Sequence, residues 1–193
     1  MKVVAINGSA RKDGNTALLL KHVFGELNAA GIETEMIQLA GKPVKGCLAC
    51  YRCFESKDRQ CAQKDDLVNE CLAEMAEADG IIVASPTYFA GMSGQLKCFC
   101  DRAFFVARAN DDLFARKVGA AVVAVRRGGS VPVFDAINHY FLIAQMIVPG
   151  SVYWNMGIGR EIGQVEGDEE GVKTMKTLGA NMAWLLQKLA GSR

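Results

Sequence analysis

Short runs of consecutive apolar and β-branched residues alternate along the chain with longer stretches in which apolar positions recur at helical spacing. A run of the first kind suits a strand buried on both faces, and a stretch of the second suits a helix packed on a sheet. Their alternation is that of βαβ units around a parallel sheet. The pattern predicts strands over Lys2–Ile6, Thr34–Leu39, Gly80–Ser85, Val118–Val125 and Ile147–Trp154. It predicts helices over Asn15–Ala30, Asp66–Ala78, Ser93–Ala107, Val133–Met146 and Asp168–Leu189. Right-handed crossovers between five such strands leave few topologies, and the order 2-1-3-4-5 suits the count, with ligands expected at the carboxyl ends of the strands. No linker, repeat or low-complexity stretch breaks the series, so residues 1–193 read as a single α/β domain, a three-layer sandwich. The one long interruption runs from Ala40 to Asp65 and carries four of the seven cysteines. A loop of that length in a compact domain is usually functional.

Composition narrows the class. Lys and Arg (22) almost cancel Asp and Glu (21), and 50% of residues are hydrophobic, which excludes a disordered chain and a polybasic nucleic-acid surface. The richest apolar stretch, Tyr140 to Val148, is interrupted by Gln145 and ended by Pro149, well short of the ~18 residues of a membrane span. The N-terminal apolar run is too short for a signal peptide and enters a glycine turn at Gly8. The expectation is a soluble, cytoplasmic protein with no nucleic-acid or membrane partner and with reduced thiols. Seven cysteines cannot all pair within the chain, so their spacing carries the information.

Three predicted strand ends carry candidate chemistry. After the first comes Gly8-Ser9-Ala10-Arg11-Lys12-Asp13-Gly14-Asn15-Thr16, a polar loop leading into an apolar helix. Free N–H groups and the positive end of that helix, the hydroxyls of Ser9 and Thr16 and the Arg11 guanidinium could face one dianion. An ordinary N-capped helix after a tight turn is the other reading. The loop is neither a Walker loop nor a dinucleotide fingerprint. After the third strand, Pro86-Thr87-Tyr88-Phe89 precedes the helix start Met92-Ser93-Gly94-Gln95-Leu96-Lys97. Such a loop offers backbone donors and flat apolar surface to a ring cofactor, although Tyr88 and Phe89 could equally pack in the core. The fourth strand ends in Arg126-Arg127-Gly128-Gly129, where glycines admit a close ring and the arginines attract a phosphate or form a solvated basic turn.

These motifs together resemble the flavodoxin-like NADPH-dependent FMN reductases, in particular the branch of multimeric flavodoxins and iron-sulfur flavoproteins. Gly-Ser-x-Arg-Lys-x-Gly-Asn-Thr is similar to the FMN phosphate loop of that family, and Ser-Pro-x-Tyr-Phe with Met-Ser-x-x-Leu-Lys and Asp-Arg to its second signature. The resemblance implies a flavodoxin-like fold, with Ser9, Arg11, Asn15 and Thr16 on the FMN phosphate. It implies Pro86, Thr87, Tyr88 and Phe89 against the isoalloxazine, and Gly128 and Gly129 beside it. Lys97, Asp101 and Arg102 match too and are expected in a helix ion pair and subunit contacts. A homodimer or homotetramer is expected from the same likeness, with Tyr153, Trp154 and Asn155 either in the core or against a neighbouring copy.

Cys47-x2-Cys50-x2-Cys53-x7-Cys61 lies in the long loop. Three thiolates at intervals of three can converge on one cubane, and a fourth after a short excursion completes the ligand set of a 4Fe-4S cluster. Free thiols, a redox disulfide or a tetrahedral zinc are the other readings. Cys71, Cys98 and Cys100 fall in helices, where buried thiols are the default. His22 and His139 lack the partners of a hydrolytic site. The leading expectation is an FMN-dependent oxidoreductase that transfers electrons to a small-molecule or protein partner, or reduces quinone or flavin with NAD(P)H, with or without a cluster. No side chain need act as acid or base, since the chemistry belongs to the cofactor. The competing class is a non-enzymatic regulatory module in which the cysteines hold zinc and the phosphate loop takes some other anion.

Overall fold

The computed structural model describes residues 1–191. Strands β1 (Lys2–Asn7), β2 (Glu33–Gln38), β3 (Gly80–Pro86), β4 (Val118–Val125) and β5 (Met156–Ile158) form one parallel sheet in the order β2-β1-β3-β4-β5. The helices are α1 (Asn15–Ala29), α2 (Arg52–Ser56), α3 (Val68–Glu77), α4 (Gly94–Ala109), α5 (Ser130–Ile143) and α6 (Glu169–Ala190). Because successive side chains point to opposite faces of a strand, both faces of the central strands are apolar. Val3, Ala5, Ile82, Ala84, Ala120 and Val122 pack with α1 and α6. Val4, Ile6, Ile81, Val83, Ala121 and Val123 pack with α3, α4 and α5. Among the described residues no helix is long and apolar enough to cross a membrane.

The predicted fifth strand is displaced. Ile147 makes only a single bridge to Val118, and the ladder with β4 resumes at Met156 to Ile158, opposite Val123 to Val125. Pro149, which has no N–H to donate, and Gly150 carry the chain off the sheet, leaving Val152, Tyr153 and Trp154 about half exposed. Asn155 is the buried residue of that segment, and its carbonyl accepts from Val123 N–H at 2.9 Å. Helix α5 begins at Ser130, ahead of the predicted Val133, because Pro132 sits in a first turn that needs no N–H from it. Within the cysteine loop α2 adds one short helix flanked by left-handed residues, Tyr51 and Lys57.

Candidate functional site

The carboxyl ends of β1, β3, β4 and β5 meet at one edge of the sheet. The loop after β1 is wound by its own side chains. Asn7 Oδ1 accepts from Ser9 N–H (3.0 Å) and Ser9 Oγ from Arg11 N–H (3.1 Å). It ends on Gly14, the N-cap of α1, which has no side chain to satisfy the first turn, and no acidic residue lies in that turn. Asn15 and Thr16 are 9% and 1% exposed, yet their backbone N–H groups find no partner among the described residues. A buried helix start without a side-chain cap keeps its N–H groups and positive dipole end available to an anion.

That start opens into a cleft of about 220 Å³ lined by Ser9, Arg11, Asn15, Thr16, Pro86, Thr87, Tyr88, Ala124, Val125, Arg126, Gly159 and Arg160. Three arginines and no carboxylate line it, so its field is positive. The Thr87 hydroxyl is buried there without a hydrogen-bond partner. Ser93 ties the β3 loop to the β1 loop: its hydroxyl donates to Gly8 C=O (2.7 Å), its N–H to Ser85 Oγ (3.1 Å), and it caps α4.

Seven of the ten residues expected around a flavin therefore line one cavity, and three do not. Tyr88 and Gly91 exchange two backbone hydrogen bonds of 2.9 Å around Phe89 and Ala90, both left-handed (φ 49° and 58°). That turn throws the Phe89 side chain fully into solvent. Gly129 lies beneath it, close enough that a Cβ would sit 3.1 Å from Ala90, while Gly128 and Arg127 remain exposed. Asn15 lines the cavity, but both of its side-chain N–H groups are spent on the carbonyls of Gly159 and Glu161 (2.9 Å each). What it leaves for an anion is its backbone N–H. Ala124, Val125, Gly159 and Arg160 escaped sequence reasoning; the last two follow the displaced strand and form no motif. His22 bonds Glu166 at 2.8 Å and His139 is exposed, both outside the cleft.

The four loop cysteines line a second, apolar cavity with Phe105, Val106 and Arg102. All are free thiols, and burial pushes the Cys53 thiol up from its ordinary value. Among the described residues no three His, Cys, Asp or Glu side chains converge as ligands of a single ion. Ala49, Tyr51, Lys57 and Arg59 are all left-handed, a dense run of backbone strain around these thiols. Lys97 and Asp101 form the expected i,i+4 ion pair at 2.7 Å. Arg102 departs from expectation: it points inward, its side chain fully buried against Asp66. Its Nε donates to Cys61 Sγ (3.3 Å) and its Nη atoms to the carbonyls of Lys45 (3.2 Å) and Gln63 (3.0 Å). A single guanidinium thus ties α4 to the whole cysteine loop, a task that only a planar fork of five donors can fill. Cys71 and Cys100 are buried, Cys98 only partly.

Comparison with known proteins bears on the fold and the family. An iron-sulfur flavoprotein of Methanocaldococcus jannaschii is 41% identical over 190 residues, 95% of this chain and 96% of the relative. Among solved structures, RosB with bound 8-demethyl-8-formylriboflavin-5'-phosphate superposes with a TM-score of 0.76 at 18% identity, covering 100% of this chain and 81% of that one. A flavodoxin from the domain Archaea does so with a TM-score of 0.64 at 18% identity, over 97% and 99% of the two chains. The fold is flavodoxin-like. The model of the NADPH-dependent FMN reductase family matches residues 1–161, a span that contains every residue lining the cleft and the cysteine segment. By that match the chain belongs to the family of NADPH-dependent FMN reductases.

Proposed function

We propose that this flavoprotein binds FMN in the cleft at the sheet edge and passes electrons between it and a 4Fe-4S cluster on Cys47, Cys50, Cys53 and Cys61, serving a small-molecule or protein redox partner. The observation that carries the reading is the buried, uncapped start of α1 opening into a cleft with three arginines and an unpartnered Thr87 hydroxyl. An anion with a polar ring system satisfies all of these at once. The phosphate would be held by the N–H groups of Asn15 and Thr16, the hydroxyls of Ser9 and Thr16, and Arg11. Pro86 to Tyr88 would line the ring, with the Thr87 hydroxyl on its polar edge. Bound FMN supplies two-electron uptake and one-electron release. The chain contributes a positive field from Arg126 and Arg160, which favours added negative charge in the cleft.

The cluster is supported by the names of the relatives, by four thiols around one apolar cavity, and by N–H donors to sulfur from Arg102 and Ala49. Without it, the same cleft would serve NAD(P)H-dependent reduction of a quinone or free flavin. A reducing, cytoplasmic setting belongs to the proposal, because the four cysteines must stay reduced to ligate a cluster. So does a homodimer or homotetramer, supported by the exposed Leu142, Ile143, Val152, Tyr153 and Trp154; sedimentation equilibrium tests it.

Anaerobic purification tests the centre of the reading. We expect yellow protein with one FMN per chain, broad visible absorbance, and about four iron and four sulfide per chain. Protein that is colourless and takes up no FMN overturns the proposal. Yellow protein without iron removes the cluster and leaves the reductase.

A further inference from the structure

We infer that Arg160 is a second cationic ligand of the flavin phosphate and that Asn15 is the positioning residue that holds it in place. The inference rests on the phosphate site proposed above and extends it to a segment, Gly159 to Gly163, that no motif marks.

That segment leaves β5 and turns back under the start of α1. Asn15, 9% exposed, clamps it with all the polar atoms of its amide: Nδ2 donates to Gly159 C=O and Glu161 C=O at 2.9 Å each, and Oδ1 accepts from Gly163 N–H at 2.9 Å. The approach is so close that a Cβ at Gly159 would lie 2.9 Å from Asn15 Nδ2 and 2.7 Å from Val165 N, so only glycine fits there. From the other side Gln164 Oε1 accepts the N–H groups of Arg160 (2.8 Å) and Glu161 (2.9 Å). Arg11 Nη1 donates to Arg160 C=O at 3.2 Å, which joins the segment to the phosphate loop itself. Both backbone polar groups of Arg160 are therefore occupied, and the residue lines the same cleft as Arg11. Two arginines whose backbones are joined at one cleft can both turn their guanidinium groups to an anion held there. Fixing the backbone in advance lowers the ordering cost of recruiting Arg160 to a phosphorylated ligand. Glu161, 3.2 Å from Arg160 Nε, leaves the Nη donors of that fork free for the anion.

FMN and riboflavin differ only by the phosphate, so their affinities separate a phosphate ligand from a general effect on the cleft. Both are titrated into full-length, flavin-stripped protein with fluorescence quenching as the readout. Arg160→Ala is expected to raise the FMN Kd about tenfold and to leave riboflavin within about twofold, with Arg160→Lys recovering part of the loss. Asn15→Ala is expected to act in the same direction, and the double variant to be no weaker than the weaker single one, because the clamp acts through Arg160. Gln164→Ala, outside the cleft, repeats the test of the clamp if Asn15→Ala does not fold. An unchanged FMN Kd in Arg160→Ala, or an equal loss for both flavins, overturns the inference. Effects of Asn15 and Arg160 that multiply overturn the positioning role. A wild-type protein that binds the two flavins equally overturns the phosphate site itself, a failure seen before any variant is made.

Discussion

Arg11 and Thr87 face the same cleft from opposite situations, one exposed and charged, the other half-buried with a buried neutral hydroxyl that has no hydrogen-bond partner. Removing the first should weaken FMN by about 1.5 to 3 kcal/mol, the range for a hydrogen bond to a charged group, with riboflavin little affected. Equilibrium titration of Arg11→Ala measures this. The second predicts effects of opposite sign. A buried hydroxyl without a partner costs about 1 kcal/mol or more, so Thr87→Val should stabilise the flavin-free protein by roughly that amount while weakening flavin binding. Urea unfolding with and without FMN reads both. Ser9, Arg11, Thr16, Pro86, Thr87 and Tyr88 were legible because they lie in two continuous loops directly after strands, where residue type and order already imply proximity. Phe89 was not: its outward direction follows from left-handed φ values at Phe89 and Ala90, residues that carry no local signal for such a turn. Asn15 was legible as a cleft residue, but not as a clamp, since its partners lie more than 140 positions away.

Helix α4 owes its hold on the cysteine loop to the buried pair of Arg102 and Asp66. Arg102→Leu leaves Asp66 as an uncompensated buried charge and should cost about 3 to 5 kcal/mol, read as a lower urea midpoint. Burial alone would push the Asp66 carboxyl up, but the Arg102 guanidinium, with N–H donors from Lys45 and Val68, outweighs it and holds the group below its ordinary value. A depressed carboxyl stabilises the fold above its unfolded pKa of about 4, and that contribution is lost as pH falls through the folded value. Asp66→Asn should therefore flatten the fall in stability below about pH 4 relative to wild type. Sequence patterning located α1, α3, α4, α6 and four strands to within a few residues, because the helices have long apolar faces and β1, β3 and β4 are largely continuous apolar runs. It misplaced β5, because Val152, Tyr153 and Trp154 have the composition of a strand while Pro149 and Gly150 decide the path. It missed α2, a five-residue helix with no apolar period of its own.

At the scale of the whole molecule, two apolar layers flank a sheet whose fourth strand is buried along its entire length. Ligand that binds only the folded state adds stability by mass action, so FMN at about 100 times its Kd should raise unfolding free energy by about 2.7 kcal/mol. Calorimetry with FMN, and with riboflavin at equal concentration, checks the size and the role of the phosphate. The strand order was readable because alternating strands and helices with right-handed crossovers admit few arrangements. The second cavity was readable only as a cysteine spacing, since its walls come from Arg102 and Phe105 on a helix forty residues further along.

Helix α6 lies against α1 so tightly that a Cβ at Gly179 would come within 2.6 Å of Val23 O, and the clamp on Asn15 comes from residues 159–163. The phosphate loop is thus braced by segments more than 140 positions further along the chain. Loosening of that distant segment would therefore reach the start of α1 directly, without passing through the sheet.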